Sequence, residues 1–580
     1  MNFLISYLVE KTKHTINFTE SFANKHFDIQ IKTNSERITL DITPYSEIEL
    51  LSFTGWIERK FTNEKFFANG YQSWTESKEY SLHQKMIQLP LMAKILNPIF
   101  KFSQYGDYNI FRRKLKQSQF YGYSGSYIRN KEDYEFYISE NDDSFHTIFV
   151  FSKPDSRVYF HIDCTGTIIK SKTTLLNICI IKGNRNSCVD YFNKIGKNTN
   201  VQPKLGWTSW YNYYQNINEN IIIENLESFK NIFPKNSIFQ IDDGFQTHVG
   251  DWLNIDCEKF PNGLHGIVNE IHQCGYEAGL WLAPFAAQKN STIVKIHPEW
   301  ILMDKNNKRV EGGGNWGGFY VLDFYNQEFR QYLEMVFDTV LNQWNFDMVK
   351  LDFLYAVSII PQHGKSRAMV MVEAMDFLRE ITGGKKILGC GVPLSQAFNR
   401  VEYCRVGPDI GLDWNGKFFE KHLHRERVST YNTLKNTIYR SCFDKTGFIN
   451  DPDVFLLRDE NIDLSKDQKI TIFLINNIFG SLVFTSDNIK KYKSWQTDLL
   501  KNIEFFHSAQ VLSFSETDDL FEYHFCVKGK HFTGLSNLSH KTAKIEIGEL
   551  KLLNIFNLET DYKNIKIIKP FETLVYERFK

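Results

Sequence analysis

Over roughly the first 195 residues hydrophobic positions alternate with polar ones or fall in short runs, as in Phe27-Asp-Ile-Gln-Ile, Ile38-Thr-Leu-Asp-Ile, Phe145-His-Thr-Ile-Phe-Val-Phe and Leu175-Leu-Asn-Ile-Cys-Ile-Ile. A period of two sends successive side chains to opposite faces of a strand, so residues 1–195 are expected to form an all-β domain. From residue 196 to 505 the pattern changes to short apolar runs separated by helical spacing. The clearest helix is expected over 326–344, where Phe329, Tyr332, Leu333, Val336, Phe337, Val340, Leu341 and Trp344 recur on one face. The strand candidates here are Leu205-Gly-Trp-Thr-Ser-Trp, Ile238-Phe-Gln-Ile-Asp-Asp, Ala278-Gly-Leu-Trp-Leu-Ala, Phe319-Tyr-Val-Leu-Asp, Met348-Val-Lys-Leu-Asp, Ile387-Leu-Gly-Cys-Gly, Tyr403-Cys-Arg-Val-Gly and Gly447-Phe-Ile-Asn-Asp. Eight such runs, most followed by a helix-sized segment, predict a central (β/α)8 TIM barrel, with a brief helix at Pro393 to Glu402 closing the shortest gap. Residues 506–580 return to strand-like runs, such as Phe521-Glu-Tyr-His-Phe-Cys-Val and Lys551-Leu-Leu-Asn-Ile-Phe with a turn at Gly534, and predict a small C-terminal β domain.

Length and charge narrow the function. A chain of 580 residues is too long for one core, so a multidomain α/β and β protein is expected. Its 68 Lys and Arg balance 68 Asp and Glu, which excludes a strongly basic nucleic-acid surface and favours a neutral small molecule as partner. The start MNFLISYLVEKTKHTINF has no positive leader and no small-residue cleavage site, and no run of about 18 apolar residues follows anywhere. Neither export by a signal peptide nor a membrane partner is expected. Nine cysteines without C-x-x-C spacing read as reduced thiols, and a cytoplasmic location is the simplest account. No H-E-x-x-H occurs among 16 histidines, so neither metal nor cofactor is expected, and His248 reads as a surface or loop residue. Gly312, Gly313, Gly314, Gly317 and Gly318 fit no phosphate-binding spacing and read as a mobile loop.

The ends of the predicted barrel strands carry the chemistry, because reacting groups in such barrels come from there. They hold Asp242, Asp243, Asp323, Asp352, Asp409 and Asp451, with Trp207, Trp210 and Trp281 among them. Aromatic faces cover the C–H patches of a sugar while carboxylates accept bonds from its hydroxyls. Asp352 and Asp409 each follow a cation, Lys350 and Arg405, that can tune them, and two such carboxylates are what cleavage of a glycosidic bond needs. Asp242 and Asp243 are adjacent like charges, costly at a buried strand end unless a ligand or cation meets them. For Asp323 and Asp451 a helix cap serves as well as a functional role. Cys390 and Cys404 lie on inner strands, with no histidine nearby in sequence to activate them.

The ordered set Gly206-Trp-Thr-Ser-Trp-Tyr, Gln240-Ile-Asp-Asp-Gly, Gly250-Asp-Trp, Trp281-Leu-Ala-Pro-Phe, His297-Pro-Glu-Trp, Lys350-Leu-Asp-Phe, Leu388-Gly-Cys-Gly, Arg405-Val-Gly-Pro-Asp and Asn450-Asp-Pro-Asp resembles glycoside hydrolase family 36, the α-galactosidases, in its compact bacterial form. Asn69-Gly-Tyr-Gln-Ser-Trp74 resembles a further family segment. The resemblance implies an N-terminal β-supersandwich, a barrel and a C-terminal antiparallel β-sandwich. It also implies a retaining, exo-acting mechanism, with Asp352 as nucleophile and Asp409 as general acid/base. Asp242 and Asp243 would then bind the 4- and 6-hydroxyls, Lys350 the hydroxyls beside the nucleophile and Arg405 the region of the 2-hydroxyl. Trp74, Trp207, Trp281 and Cys390 would complete the sugar site. An α-N-acetylgalactosaminidase or a galactosyl transferase of the raffinose-synthase kind shares this catalytic pair. A catalytically silent carbohydrate-binding barrel would lack one of the carboxylates, and both are present. Nothing in the sequence sets the oligomeric state.

Overall fold

The computed structural model describes residues 1–580 apart from 87–88, 198–199, 231, 417–423, 546–547 and 579–580. The alternating N-terminal segments pair into a seven-stranded and an eight-stranded antiparallel sheet. In the strand Arg37–Pro44 the buried positions are Ile38, Leu40, Ile42 and Pro44, every second residue, and Ile42 and Leu40 pair with Ile29 and Ile31 of Phe27–Thr33. Side chains from both sheets, among them Phe3, Ile5, Phe27 and Leu40, form one core. Three helices depart from the all-β expectation: Leu91–Phe100, Phe102–Tyr105 and Arg185–Ile195. The second carries Tyr105 toward the middle of the molecule.

The central sheet is parallel. Its order runs Ile449–Asp451, Tyr403–Arg405, Lys386–Gly389, Met348–Leu351, Glu277–Leu282, Ile238–Ile241, Lys204–Thr208, Leu482–Thr485 and Val454–Phe455. The first and last of these are separated only by Pro452 and Asp453, so the two ends of the strand order meet there. Strands buried on both faces read as near-continuous apolar runs, which is why these segments were legible. One expectation does not hold. Phe319–Val321 is not in this sheet; it pairs antiparallel with Ala286–Gln288 and Glu311–Gly313 in a separate three-stranded sheet. The strand that takes the remaining place, Leu482–Thr485, follows the helix Lys466–Phe479, whose start is fixed by a reciprocal cap between Ser465 and Gln468. The expected helix over 326–344 forms as Gln327–Asp338 with a wider last turn to Gln343, capped by Asn326 on the amide of Phe329. The brief helix expected before Glu402 is Leu394–Ala397.

The glycine-rich segment expected to be a mobile loop is instead tied into the three-stranded sheet and a short 3-10 turn, Asn315–Gly317. A Cβ at Gly312 would lie 2.1 Å from the ring of Phe319, so the close approach of backbone to ring requires glycine. At the C-terminus six antiparallel strands span Gln510–Glu577, beside a two-stranded pair. Gly534 is not a turn: it lies inside Lys530–Asn537, where a Cβ would meet the ring of Tyr523, and the turn falls at Lys528 and Gly529. Tyr523 packs edge-on against Phe479 at 5.1 Å, joining this sheet to the long helix. Among the described residues no helix is long and apolar enough to cross a membrane.

Candidate active site

A cavity of about 760 Å³ opens beyond the C-terminal ends of the parallel strands. It is lined by Trp74, Asp242, Asp243, Trp281, Lys350, Asp352 and Asp409, which the sequence had singled out. Asp352 follows Met348–Leu351, the fourth parallel strand in chain order, and one of its oxygens accepts from the indole of Trp281 at 3.0 Å. Its other oxygen accepts from the amide of Phe353, which adopts a left-handed φ of 54°. Burial pushes the Asp352 carboxyl up from its ordinary range, Lys350 draws it down, and the charge of Asp409 raises it again. Asp352 and Asp409 both line the cavity.

Asp409 lies four residues beyond the strand-borne Arg405, whose Nη1 is 2.9 Å from it. Arg405 is itself buried behind the cavity wall and also holds Asp451 at 3.2 Å and Asp453 at 2.7 Å. Asp451 is thus an ion-pair partner of Arg405. Burial, together with Asp409 and Asp451, raises the Asp453 carboxyl to about 7, against the opposing pull of Arg405. Sequence reasoning passed over Asp453, although it ends the quoted Asn450-Asp-Pro-Asp motif. A second acid two residues after the first was the available signal.

Asp242 and Asp243 divide the work of their strand end. Asp242 accepts from Lys350 at 2.8 Å and from Gln240 at 2.8 Å, so the lysine expected beside Asp352 is bonded to Asp242 and reaches Asp352 only through space. Asp243 accepts from Gln215 at 2.8 Å, from the indole of Trp316 at 2.9 Å and from Gln246 at 2.6 Å. None of these three was singled out from sequence; a tryptophan inside a glycine-rich run was the readable hint for Trp316. Asp323 accepts from the amide of Tyr325 in the turn before the helix Gln327–Asp338, a structural role.

Trp74 arrives from the N-terminal sheets, donates to the sulfur of Cys390 at 3.3 Å and packs edge-on against Phe353 and Tyr355. Cys390 lies just behind the wall, where burial and the charge of Asp352 push its thiol well above the ordinary range. Trp207 does not line the cavity. It is wholly buried, stacked on Phe239 with centroids 4.4 Å apart, and donates to the carbonyl of Asp487. A strand residue pointing outward from the sheet packs under helices, and period-two alternation along Lys204–Thr208 gave no sign of which face was which. Trp210 and Tyr214 line the cavity beside it, and Tyr105, Tyr355, His424, Glu426, Arg427 and Val428 complete the mouth.

Comparison with known proteins places this geometry. Residues 204–378 match the family model described as Melibiase. α-Galactosidase AgaA of Geobacillus stearothermophilus is 32% identical over 104 residues, a stretch that covers 18% of this chain and only 14% of that protein's length. The solved α-galactosidase TtGalA of Thermus thermophilus, in complex with p-nitrophenyl α-D-galactopyranoside, superposes with a TM-score of 0.67 at 21% identity, covering 87% of this chain and 98% of that one. The crystal structure of AgaA, a family 36 α-galactosidase, superposes at 0.61 with 12% identity over 95% of this chain and 80% of its own. Residues 204–378 thus match the Melibiase model, and the chain has the fold of solved α-galactosidases, among them the family 36 enzyme AgaA.

Proposed function

We propose that the protein is a retaining, exo-acting α-galactosidase that removes terminal α-D-galactosyl residues from oligosaccharides and simple galactosides. The observation that carries this reading is Asp352, buried at the floor of the cavity beside a cation and within electrostatic reach of the half-exposed Asp409. The first can attack an anomeric carbon while the second, nearer solvent, gives its proton to the leaving oxygen and later takes one from water. Formation of the glycosyl ester neutralises Asp352, which removes a negative charge beside Asp409 and eases loss of its proton for the second step. Asp242 and Asp243, already oriented by six side-chain donors, Lys350, Gln240, Thr208, Gln215, Gln246 and Trp316, supply acceptors for the sugar's 4- and 6-hydroxyls. Trp281, Trp316 and Trp74 offer apolar faces. The compound that TtGalA holds in its solved complex, an aryl α-galactoside, is the substrate type this arrangement suits.

The domain plan belongs to the same reading: an N-terminal β-supersandwich over 1–195, a (β/α)8 barrel over 196–505 with residues 449–455 as its seventh strand, and a C-terminal β-sandwich over 506–580. All nine cysteines are free thiols, which supports a reducing, cytoplasmic setting. Turnover of a panel of nitrophenyl glycosides tests the proposal, with the α-galactoside as the expected best substrate. Absence of any glycosidase activity in a folded preparation would sink it.

A further inference from the structure

Behind the cavity a buried arginine joins the N-terminal sheets to the barrel without touching the cavity itself. Arg440 directly follows the helix Thr430–Tyr439 and is fully buried. All of its donors are engaged: Nε on the side-chain oxygen of Asn69 at 3.1 Å, Nη1 on the carbonyls of Ser73 at 2.7 Å and Val406 at 2.8 Å, and Nη2 on the carbonyls of Gly70 at 3.1 Å and Gln72 at 3.2 Å. Every acceptor is neutral, and the charged or titratable groups acting on it, Cys404, Arg425 and Cys442, include no carboxylate. A buried cation without a counter-ion is tolerated only when each donor is met, and five donors in a fixed planar fork are what arginine provides.

Four of those five acceptors lie within the five residues before Trp74. The fifth, Val406, follows Arg405, which holds Asp409. One turn earlier Asn436 repeats the pattern, donating to the carbonyls of Thr75 and Val406 and accepting from the amide of Ser77. The segment is also sewn to the barrel beyond Cys390, where the amide of Ser73 donates to the carbonyl of Val392 and the amide of Val392 to the hydroxyl of Ser73. We infer that Arg440 is a positioning residue that fixes Trp74 over the nucleophile, using one guanidinium to hold the Asn69–Ser73 backbone against the strand end that carries the acid. The inference rests on the reading of the cavity as a galactoside site, in which Trp74 touches the sugar and Arg440 acts only through it.

Arg440→Lys keeps the charge but has three donors on one atom and cannot meet five acceptors. It is expected to lower kcat/KM for nitrophenyl α-galactoside by at least about tenfold, chiefly through KM, in the otherwise unchanged enzyme, and by no more than about twofold in a Trp74→Ala background. Amides in 69–77 should exchange with deuterium faster, while those of the strand 386–389 keep their protection. Full activity in Arg440→Lys, or an equal loss with and without Trp74, overturns the inference. If Arg440→Lys does not fold, Asn69→Ala, which deletes the single side-chain acceptor, takes the same cycle with the same criteria. If the unaltered protein turns over no galactoside, the functional reading has failed, and the exchange of 69–77 alone decides whether Arg440 holds that segment.

Discussion

Lys350 places its ammonium 2.8 Å from a carboxylate oxygen of Asp242, so the cation of the strand that leads into Asp352 is bonded to an acid two strands away. Both side chains are buried, and breaking such a pair by removing one partner typically costs about 3–5 kcal/mol because the other charge is left uncompensated. The arrangement couples two tasks. Lys350 holds Asp242 by direct contact and draws Asp352 toward its ionised form through space.

That coupling gives opposite signs to two substitutions. On the proposed mechanism the nucleophile must be ionised, so the acidic limb of kcat/KM should report protonation of Asp352. Lys350→Met removes a charge that lowers Asp352 and should move the limb to higher pH. Asp409→Asn removes a charge that raises it and should move the limb to lower pH. Profiles taken with an activated aryl galactoside, which needs little acid assistance, decide the matter; shifts in the same direction would refute the assignment.

Asp352→Ala should abolish hydrolysis of aryl α-galactosides, because it removes the carboxylate that the proposed mechanism uses to attack the anomeric carbon. Azide should enter the vacated space and restore part of the turnover. The product is then a β-galactosyl azide, inverted at the anomeric carbon. Near-normal hydrolysis without azide, or an α-azide, would remove Asp352 from the nucleophile's role.

Asp409→Ala separates the two halves of the reaction. Substrates with poor leaving groups need its proton and should slow by about 10²–10⁴-fold, whereas nitrophenyl substrates with good leaving groups should be slowed far less. Rates measured across a series of leaving-group acidities give the slope. An equal loss across the series means that Asp409 binds rather than protonates.

The cavity floor is legible in the sequence because buried parallel strands write themselves as apolar runs ending in a polar residue: Met348–Leu351 then Asp352, Ile238–Ile241 then Asp242 and Asp243. What failed was whatever depended on pairing rather than pattern. Phe319–Val321 has the composition of a buried parallel strand, yet its partners are antiparallel neighbours, while Leu482–Thr485 follows a long buried helix after only Gly480 and Ser481 and continues its apolar character, so the two read as one run. Trp207 and Trp210 stand three residues apart in one motif, and only the bend from strand to helix decides that the second faces the cavity and the first packs on Phe239. Partners that converge from distant loops, such as Gln215 and Trp316 on Asp243, leave no spacing to read.

Asp142, whose carbonyl accepts from Gln396 where the N-terminal sheets meet the parallel-sheet region, predicts a pH dependence of stability. Burial raises its carboxyl to about 6, from about 3.9 in an unfolded chain. A group whose folded value is raised binds its proton more tightly in the folded state, so its contribution is fully present below about pH 4 and is lost as pH rises through about 6. Asp142→Asn keeps an acceptor for the amide of Thr147 and cannot ionise. It should match the unaltered protein at pH 4 and exceed it by about 2 kcal/mol at pH 8, read from urea midpoints at both values. Equal differences at the two values would show that Asp142 does not titrate in this range.

The last prediction concerns the sugar. Asp242 and Asp243 are adjacent and buried, and their donors Lys350, Gln240, Thr208, Gln215, Gln246 and Trp316 fix both carboxylates before any substrate arrives. An axial 4-hydroxyl and the 6-hydroxyl can be met together, whereas an equatorial 4-hydroxyl leaves a buried acceptor unpaired at a cost of about 1–3 kcal/mol. The enzyme should therefore prefer α-galactosides to α-glucosides by at least about tenfold in kcat/KM. Asp242→Asn and Asp243→Asn should erode that preference as well as the rate. Trp316→Phe, which keeps the ring but deletes the 2.9 Å bond to Asp243, should erode the preference with a smaller loss of rate. Specificity constants for the nitrophenyl α-galactoside, α-glucoside and 2-acetamido-α-galactoside on all four proteins give the answer. Equal use of the glucoside by the unaltered enzyme removes the two acids from 4-hydroxyl recognition, and a strong preference for the 2-acetamido sugar makes the protein an α-N-acetylgalactosaminidase instead.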